Sequence, residues 1–194
     1  MGRTRNDVIN AYLLEILSVE EHIDKAIKGQ IEDFDEQQPE VARPLAQIEA
    51  SIARHVVALK SLCDRRKASA SAVVEVVRRA GAVMAGVGAA AMDLIRNEKP
   101  PKDLRDDYAA INLAAIGYVM LHTTARALDD PEVADIAKSH LTDHARAITT
   151  LVALIPSAVV QSLHDDGLPA RDDVLPAVAE MIQSMWSGGE LARV

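Results

Sequence analysis

The chain has 194 residues, enough for one domain with a sizeable core and barely enough for two. Aromatic residues contribute only 3% against 49% apolar residues overall, so the apolar content is mostly aliphatic and alanine, which favours closely packed helices over a sheet. A net charge of −8 works against non-specific binding of nucleic acid, which rests on Lys and Arg neutralising phosphates, and equally against docking on anionic lipid.

The single cysteine, Cys63, excludes an intramolecular disulfide, fits a reducing compartment and reads as a packed or semi-exposed thiol. Met1 to Asp7 is polar and no apolar leader follows, so no secretory signal is expected and the chain is expected to be cytoplasmic. The basic pairs and triplets, Arg65-Arg66-Lys67 and Arg78-Arg79, read as solvated helix ends.

Asn6 or Asp7 is placed to cap a first helix. Val8, Ile9, Tyr12, Leu13, Ile16, Val19, Ile23 and Ile27 recur at helical spacing, and Gly29 sets its end near Lys28. The acidic segment 30–38, with the only phenylalanine (Phe34), reads as a loop. Pro39 opens a second helix carrying Val41, Leu45, Ile48, Ile52, Val56, Leu59 and Leu62. After a charged break at 64–71, a third helix is predicted over 72–97. Its run from Ala80 to Ile95 is short of the roughly 20 residues of a membrane span, and Gly81, Ala85, Gly88 and Ala89 suit close helix contact.

Pro100-Pro101 separates this from a fourth helix, about Asp103 to Leu128. Asp129-Asp130-Pro131 supplies a stop, a cap and a first-turn proline. The fifth helix reaches about Ile155, where Pro156 is expected to kink or end it, with a short piece continuing to His164. A turn at 165–169 precedes a last helix, about Asp172 to Trp186. Two long hairpins joined by the 72–97 crossover predict an all-α, ferritin-like antiparallel four-helix bundle over 1–155, with a C-terminal helical extension, 156–194, packed on it.

Ionisable groups interrupt the apolar stripe on each long helix. Glu20 lies beside it on the first, His55 within it on the second, Tyr118 and His122 on the fourth, and His140 and His144 one turn apart on the fifth. Buried ionisable groups need partners or a metal. Two histidines at i and i+4 on one face can hold one ion. The candidate ligands are therefore Glu20, His55, His122, His140 and His144, with Glu49, Tyr118 and Asp143 as polar neighbours. A di-iron centre needs a Glu from each of two helices and Glu-x-x-His from the other two. Glu49 is followed at that spacing by Ile52 and Asp143 by Arg146, and the fourth helix has no carboxylate between Asp107 and Asp129. A histidine-rich set suits zinc better. No catalytic residue is assigned.

The stretches ILSVEEHI (16–23), LAQIEASIARHVVAL (45–59), LRDDYAAINLAAIGYVMLHTTARAL (104–128) and HLTDHARAI (140–148) resemble the bacterial ferritin-like stress proteins of the DUF892 (YciE/YciF) group over residues 6–155. The resemblance implies a ferritin-like bundle, dimers and carboxylate-plus-histidine metal positions. Glu20 matches the first-helix glutamate, and Asp143-His144 stands near the family's acidic pair in the fifth helix. The fourth-helix carboxylates are replaced in the neighbourhood of Ala115 and Tyr118. The first expectation is thus a divergent, non-enzymatic bundle that self-associates as a homodimer or higher oligomer, without a cofactor, in a stress-related role. Met181, Met185 and Trp186 of the last helix are candidates for core or interface. The alternative is a metal-binding protein holding zinc, iron or manganese. Neither nucleic acid nor a membrane is an expected partner.

Overall fold

The computed structural model describes residues 4–34, 38–68 and 99–187, and these are almost entirely helical, with no strand among them. The helices are α1 (Arg5–Phe34), α2 (Pro39–Arg65), α3 (Lys99–Ala127), α4 (Pro131–Asp165) and, after a 3-10 turn at Asp172–Val174, α5 (Leu175–Ser187). The helix expected over 72–97 lies outside the described residues.

The start of α1 differs from the expected cap. Thr4 is the capping residue: its Oγ1 accepts the Asp7 N–H at 3.2 Å while Asp7 Oδ2 accepts the Thr4 N–H at 2.9 Å. This reciprocal pair satisfies two backbone donors that the first turn leaves free. Gly29 does not end α1, and 30–34 is helix rather than loop. Ile27 and Phe34 are buried and Ile31 packs beside them. Burying one such side chain is worth roughly 1.5–3 kcal/mol, which outweighs the cost of about 1 kcal/mol for a helical glycine.

The α3–α4 junction follows from three residues. Asp129 takes a left-handed conformation (φ 57°), which Asp tolerates better than most residues. The Asp130 N–H reaches back to the Ala125 carbonyl at 2.8 Å and closes the end of α3. The Asp130 carboxylate then accepts the Val133 N–H at 3.3 Å, with Pro131 in the first turn of α4. Arg66, just beyond α2, meets the same carboxylate at 2.9 Å, tying two helix ends together. Further along, Pro156 neither ends nor divides α4. Ala158 and Val160 beyond it are buried, so packing carries the helix past the hydrogen bond the proline cannot make. The expected boundary at 155/156 therefore falls inside a helix. Among the described residues α4 is also the one helix long and apolar enough to cross a membrane by length and composition. It is the helix that carries His140, His144 and the buried Ala137 and Leu151 toward its neighbours.

Pairings between helices run in a regular ladder. On α1 and α2, Asn10 meets Arg66, Glu21 meets Lys60, Glu20 meets His55 and Lys28 meets Glu49. On α1 and α3, Glu20 meets Tyr118 and Gln30 meets Asp107. On α2 and α4, His55 meets Asp143 and Arg65 meets Glu132. Gly117 lets α3 approach α1 closely: a Cβ there would collide with the Ile16 side chain.

The interior has two apolar halves. One gathers Ile23, Ile27, Leu45, Ile52, Leu104, Ile111 and Leu151; the other gathers Ile9, Leu13, Leu59, Leu62, Leu121 and Val133. The changeover falls near residue 20 on α1, 55 on α2, 118 on α3 and 140–144 on α4. At that level four helices turn polar groups inward.

Candidate metal centre

Glu20 is the hub of this polar layer and is wholly buried. Its Oε1 accepts three hydrogen bonds from three helices: His144 Nε2–H at 2.8 Å, His55 Nδ1–H at 3.2 Å and Tyr118 Oη–H at 2.5 Å. Burial alone would push the carboxyl up. The bonds and charges of His144 and His55 more than offset it and hold Glu20 down at about 2, so it is ionised at neutral pH.

The second ring nitrogen of His55 donates to Asp143 Oδ2 at 3.3 Å. Both partners of that ring are carboxylates, which only accept, so each ring nitrogen of His55 faces an acceptor. Asp143 pairs in turn with Arg146 at 2.9 Å. Burial raises its carboxyl, but His55, Arg146 and Ser51 outweigh this and leave it below its usual range. His140 lies flat on His55, ring centroids 3.9 Å apart, and its Nδ1–H donates to Tyr118 Oη at 2.9 Å. Burial and the neighbouring His55 charge push His140 down to about 4, so it stays neutral at pH 7. Burial, then the Glu20 carboxylate, push the Tyr118 phenol well above its ordinary value.

Five of the residues singled out from the sequence thus meet: Glu20, His55, Tyr118, His140 and His144, with Asp143 at the edge. Two expected members do not join. His122 donates from Nδ1 to the Ala134 carbonyl at 2.9 Å, one turn of α3 beyond Tyr118, and is not in the Glu20–His55–His144 cluster. Glu49 pairs with Lys28 at 3.1 Å near the far end of α1. A second polar pair joins buried Asp107 to half-buried Gln30, outside the set expected from the sequence. Its signal was available: Asp107 lies three residues after Leu104 and four before Ile111, the same spacing that buries both.

Glu20, His55 and His144 offer ligand atoms that all lie within 4.8 Å of one another, and this cluster could hold a metal ion. Ligands on one ion at bond lengths near 2.1 Å are at most about 4.2 Å apart, so small side-chain movements suffice. Two atoms argue that the donor set fits. Glu20 Oε2 is buried and accepts no hydrogen bond, and His144 Nδ1 is buried without a partner. A buried carboxylate oxygen with nothing to accept is costly in a purely structural network. On an ion, that oxygen gains a bond. A hollow of ≈ 190 Å³ between α2 and α4 has Ser51, Arg54, Asp143 and Arg146 in its wall, so it reaches the carboxylate at the edge of the cluster. An apolar hollow of ≈ 560 Å³ between α4 and α5 has Val152, Pro156, Leu175 and Ile182 in its wall and no ionisable group, so it carries none of this chemistry.

No protein-family model, no curated protein and no solved structure matches this chain.

Proposed function

We propose that the chain is a metal-binding helical bundle whose ion is held by Glu20, His55 and His144. The observation that carries this reading is the convergence of both histidines on one wholly buried, ionised carboxylate whose second oxygen has no hydrogen-bond donor. Two imidazoles and one carboxylate are the donor set of open zinc sites and of mononuclear ferrous sites. The set lacks the four carboxylates of a di-iron centre, so a single ion is the reading. Zinc or ferrous iron fits two nitrogen donors better than manganese does. The Asp143 carboxylate on His55 Nε2 is the outer contact that orients a metal-bound imidazole and raises its basicity.

The proposal includes a ferritin-like, antiparallel arrangement and the relationship to the DUF892 group. What supports it is the ladder of pairings, in which residue numbers fall along α1 as they rise along α2 and α3, and the role of Glu20, the residue the resemblance singles out. Metal analysis of protein purified without chelator tests the reading. It predicts about one zinc or iron per chain, lost on Glu20→Gln and on His144→Ala. Metal-free protein that takes up none on addition of zinc or ferrous salt contradicts it.

Self-association is a second reading, favoured by the exposed apolar residues Leu168, Val174, Met181 and Met185 gathered after the end of α4 and on α5. Light scattering tests it: the reading predicts a dimer or larger, converted to monomer by Met181→Lys with Met185→Lys, and a monomer at all concentrations contradicts it.

A further inference from the structure

Leu175, Val178 and Ile182 fall at i, i+3 and i+7 and form one apolar stripe on α5. Such a stripe normally ends up buried, yet these three side chains are only half-buried, and no residue from 175 to 185 is buried. The reason is the hollow of ≈ 560 Å³ that keeps Leu175 and Ile182 apart from Val152 and Pro156 of α4. Packed protein leaves few voids larger than a water molecule. A hollow of this size falls instead in the range of small-molecule sites, roughly 300–1,000 Å³.

The polar groups on the α4 side of the wall set the chemistry of the occupant. Thr149 spends its hydroxyl hydrogen on the Ala145 carbonyl at 3.0 Å, and Ser157 spends its own on the Leu154 carbonyl at 2.8 Å. Pro156 has no N–H, so the carbonyl four residues before it, that of Val152, has no helical donor. Two hydroxyl oxygens and one backbone carbonyl are therefore available to accept, and the α4 side chains have no hydrogen left to give. No ionisable side chain stands in the described wall. An anion would meet only acceptors there, and a cation no carboxylate, in apolar surroundings where bare charge is costly. We propose that the hollow between α4 and α5 binds a small, neutral, apolar molecule that carries one hydroxyl or N–H donor. The apolar body fills the space under α5, and the donor meets an acceptor of α4.

This site is independent of the metal cluster, and the full-length chain tests it directly. The probe is N-phenyl-1-naphthylamine, which is neutral, carries one N–H and fluoresces in apolar surroundings. The expected result is one saturable site per chain, from which decanol displaces the probe and decanoate at pH 8 does not. Ala179→Trp fills the hollow from α5 and Ala153→Trp fills it from α4, and each should weaken binding at least tenfold. Both alanines are exposed, so neither change disturbs the bundle core. Pro156→Ala returns a donor to the Val152 carbonyl and should weaken binding about fivefold, the size of one hydrogen bond. Met181→Lys, on α5 but outside the wall, should leave binding unchanged. Absence of saturable binding overturns the proposal. So does binding that both tryptophan variants leave intact, that Met181→Lys abolishes, or from which decanoate displaces the probe as readily as decanol.

Discussion

Gln30 Nε2–H donates to Asp107 Oδ1 at 3.0 Å, and the remaining oxygens of both side chains, Gln30 Oε1 and Asp107 Oδ2, are buried without a donor. One proton on Oδ2 would satisfy both by closing a two-bond ring of acid and amide. Burial is the main reason the Asp107 carboxyl is pushed up to about 7; the Gln30 bond opposes this, and Asp103 and Asp106 add to it. In the unfolded chain the same group ionises near 3.8. The folded state thus holds this proton more tightly. The stabilisation is fully present below pH 3.8 and is lost as pH rises through 7, at most about 4 kcal/mol in all. Asp107→Asn supplies a permanent donor in the same place. It should remove that decline and leave the protein more stable than wild type at pH 8, as read from urea midpoints across the range.

The polar layer has the opposite acid response. Glu20 ionises at about 2 when folded against 4.5 as the reference, so its contribution is present above 4.5 and lost as pH falls through 2. His140 is held neutral down to about 4 against 6.5, so only the unfolded chain takes up a proton between those values, and stability falls over that window. In an Asp107→Asn background, which silences the competing group, urea midpoints should drop as pH falls from 6.5 to 4. His140→Gln should flatten that drop.

Removing the hub has a larger effect than removing any one donor. Glu20→Ala leaves His55, His144 and Tyr118 facing a cavity with no acceptor. Breaking one side of a buried charged network costs about 3–5 kcal/mol. Denaturant unfolding of metal-free protein checks this, and His122→Ala, whose ring serves only a backbone carbonyl, should cost less than half as much.

At Gly117 two substitutions should diverge. The atoms in the way of a Cβ belong to the Ile16 side chain, with its terminal methyl the nearest, and that methyl can rotate aside. Gly117→Ala also gains about 1 kcal/mol of helix propensity, so its net effect should lie within about 1 kcal/mol of zero. Gly117→Leu must push α3 from α1 and should cost 2 kcal/mol or more, on the order of the upper range for overpacking. It should also reduce metal affinity, since Tyr118 is the next residue. Thermal unfolding and metal titration of the two variants check both statements.

Cys63 is buried in the same apolar half as Leu59 and Leu62, and burial pushes its thiol up. An aromatic disulfide reagent should therefore react with native protein at least tenfold more slowly than with unfolded protein.

Much of this was legible before any coordinates, because an α-helix converts spacing into a face. Ionisable groups at 20, 55, 118, 140 and 144 fall on the apolar stripes, and the structure brings them together. Spacing gives the face but not the neighbour across it. His122 and Tyr118 share a face of α3, and only the approach of the Ala134 carbonyl separates their roles. Glu49 differs from its expected place for the same reason: Lys28 across the helix pair takes it. The helix ends were hidden where tertiary packing overrides a local signal. Phe34 carries α1 past Gly29, and Ala158 and Val160 carry α4 past Pro156. The buried acid at Asp107 is hidden in the sequence because its partner, Gln30, lies past Gly29, where only packing continues the helix.

The most direct test is an equilibrium titration of metal-stripped protein with zinc, on wild type and three single variants. The account predicts one site per chain, affinity reduced at least a hundredfold by His55→Ala and by His144→Ala, and wild-type affinity in His122→Ala. Zinc binding that is unchanged by His55→Ala and His144→Ala, or absent from the wild-type protein, would contradict it.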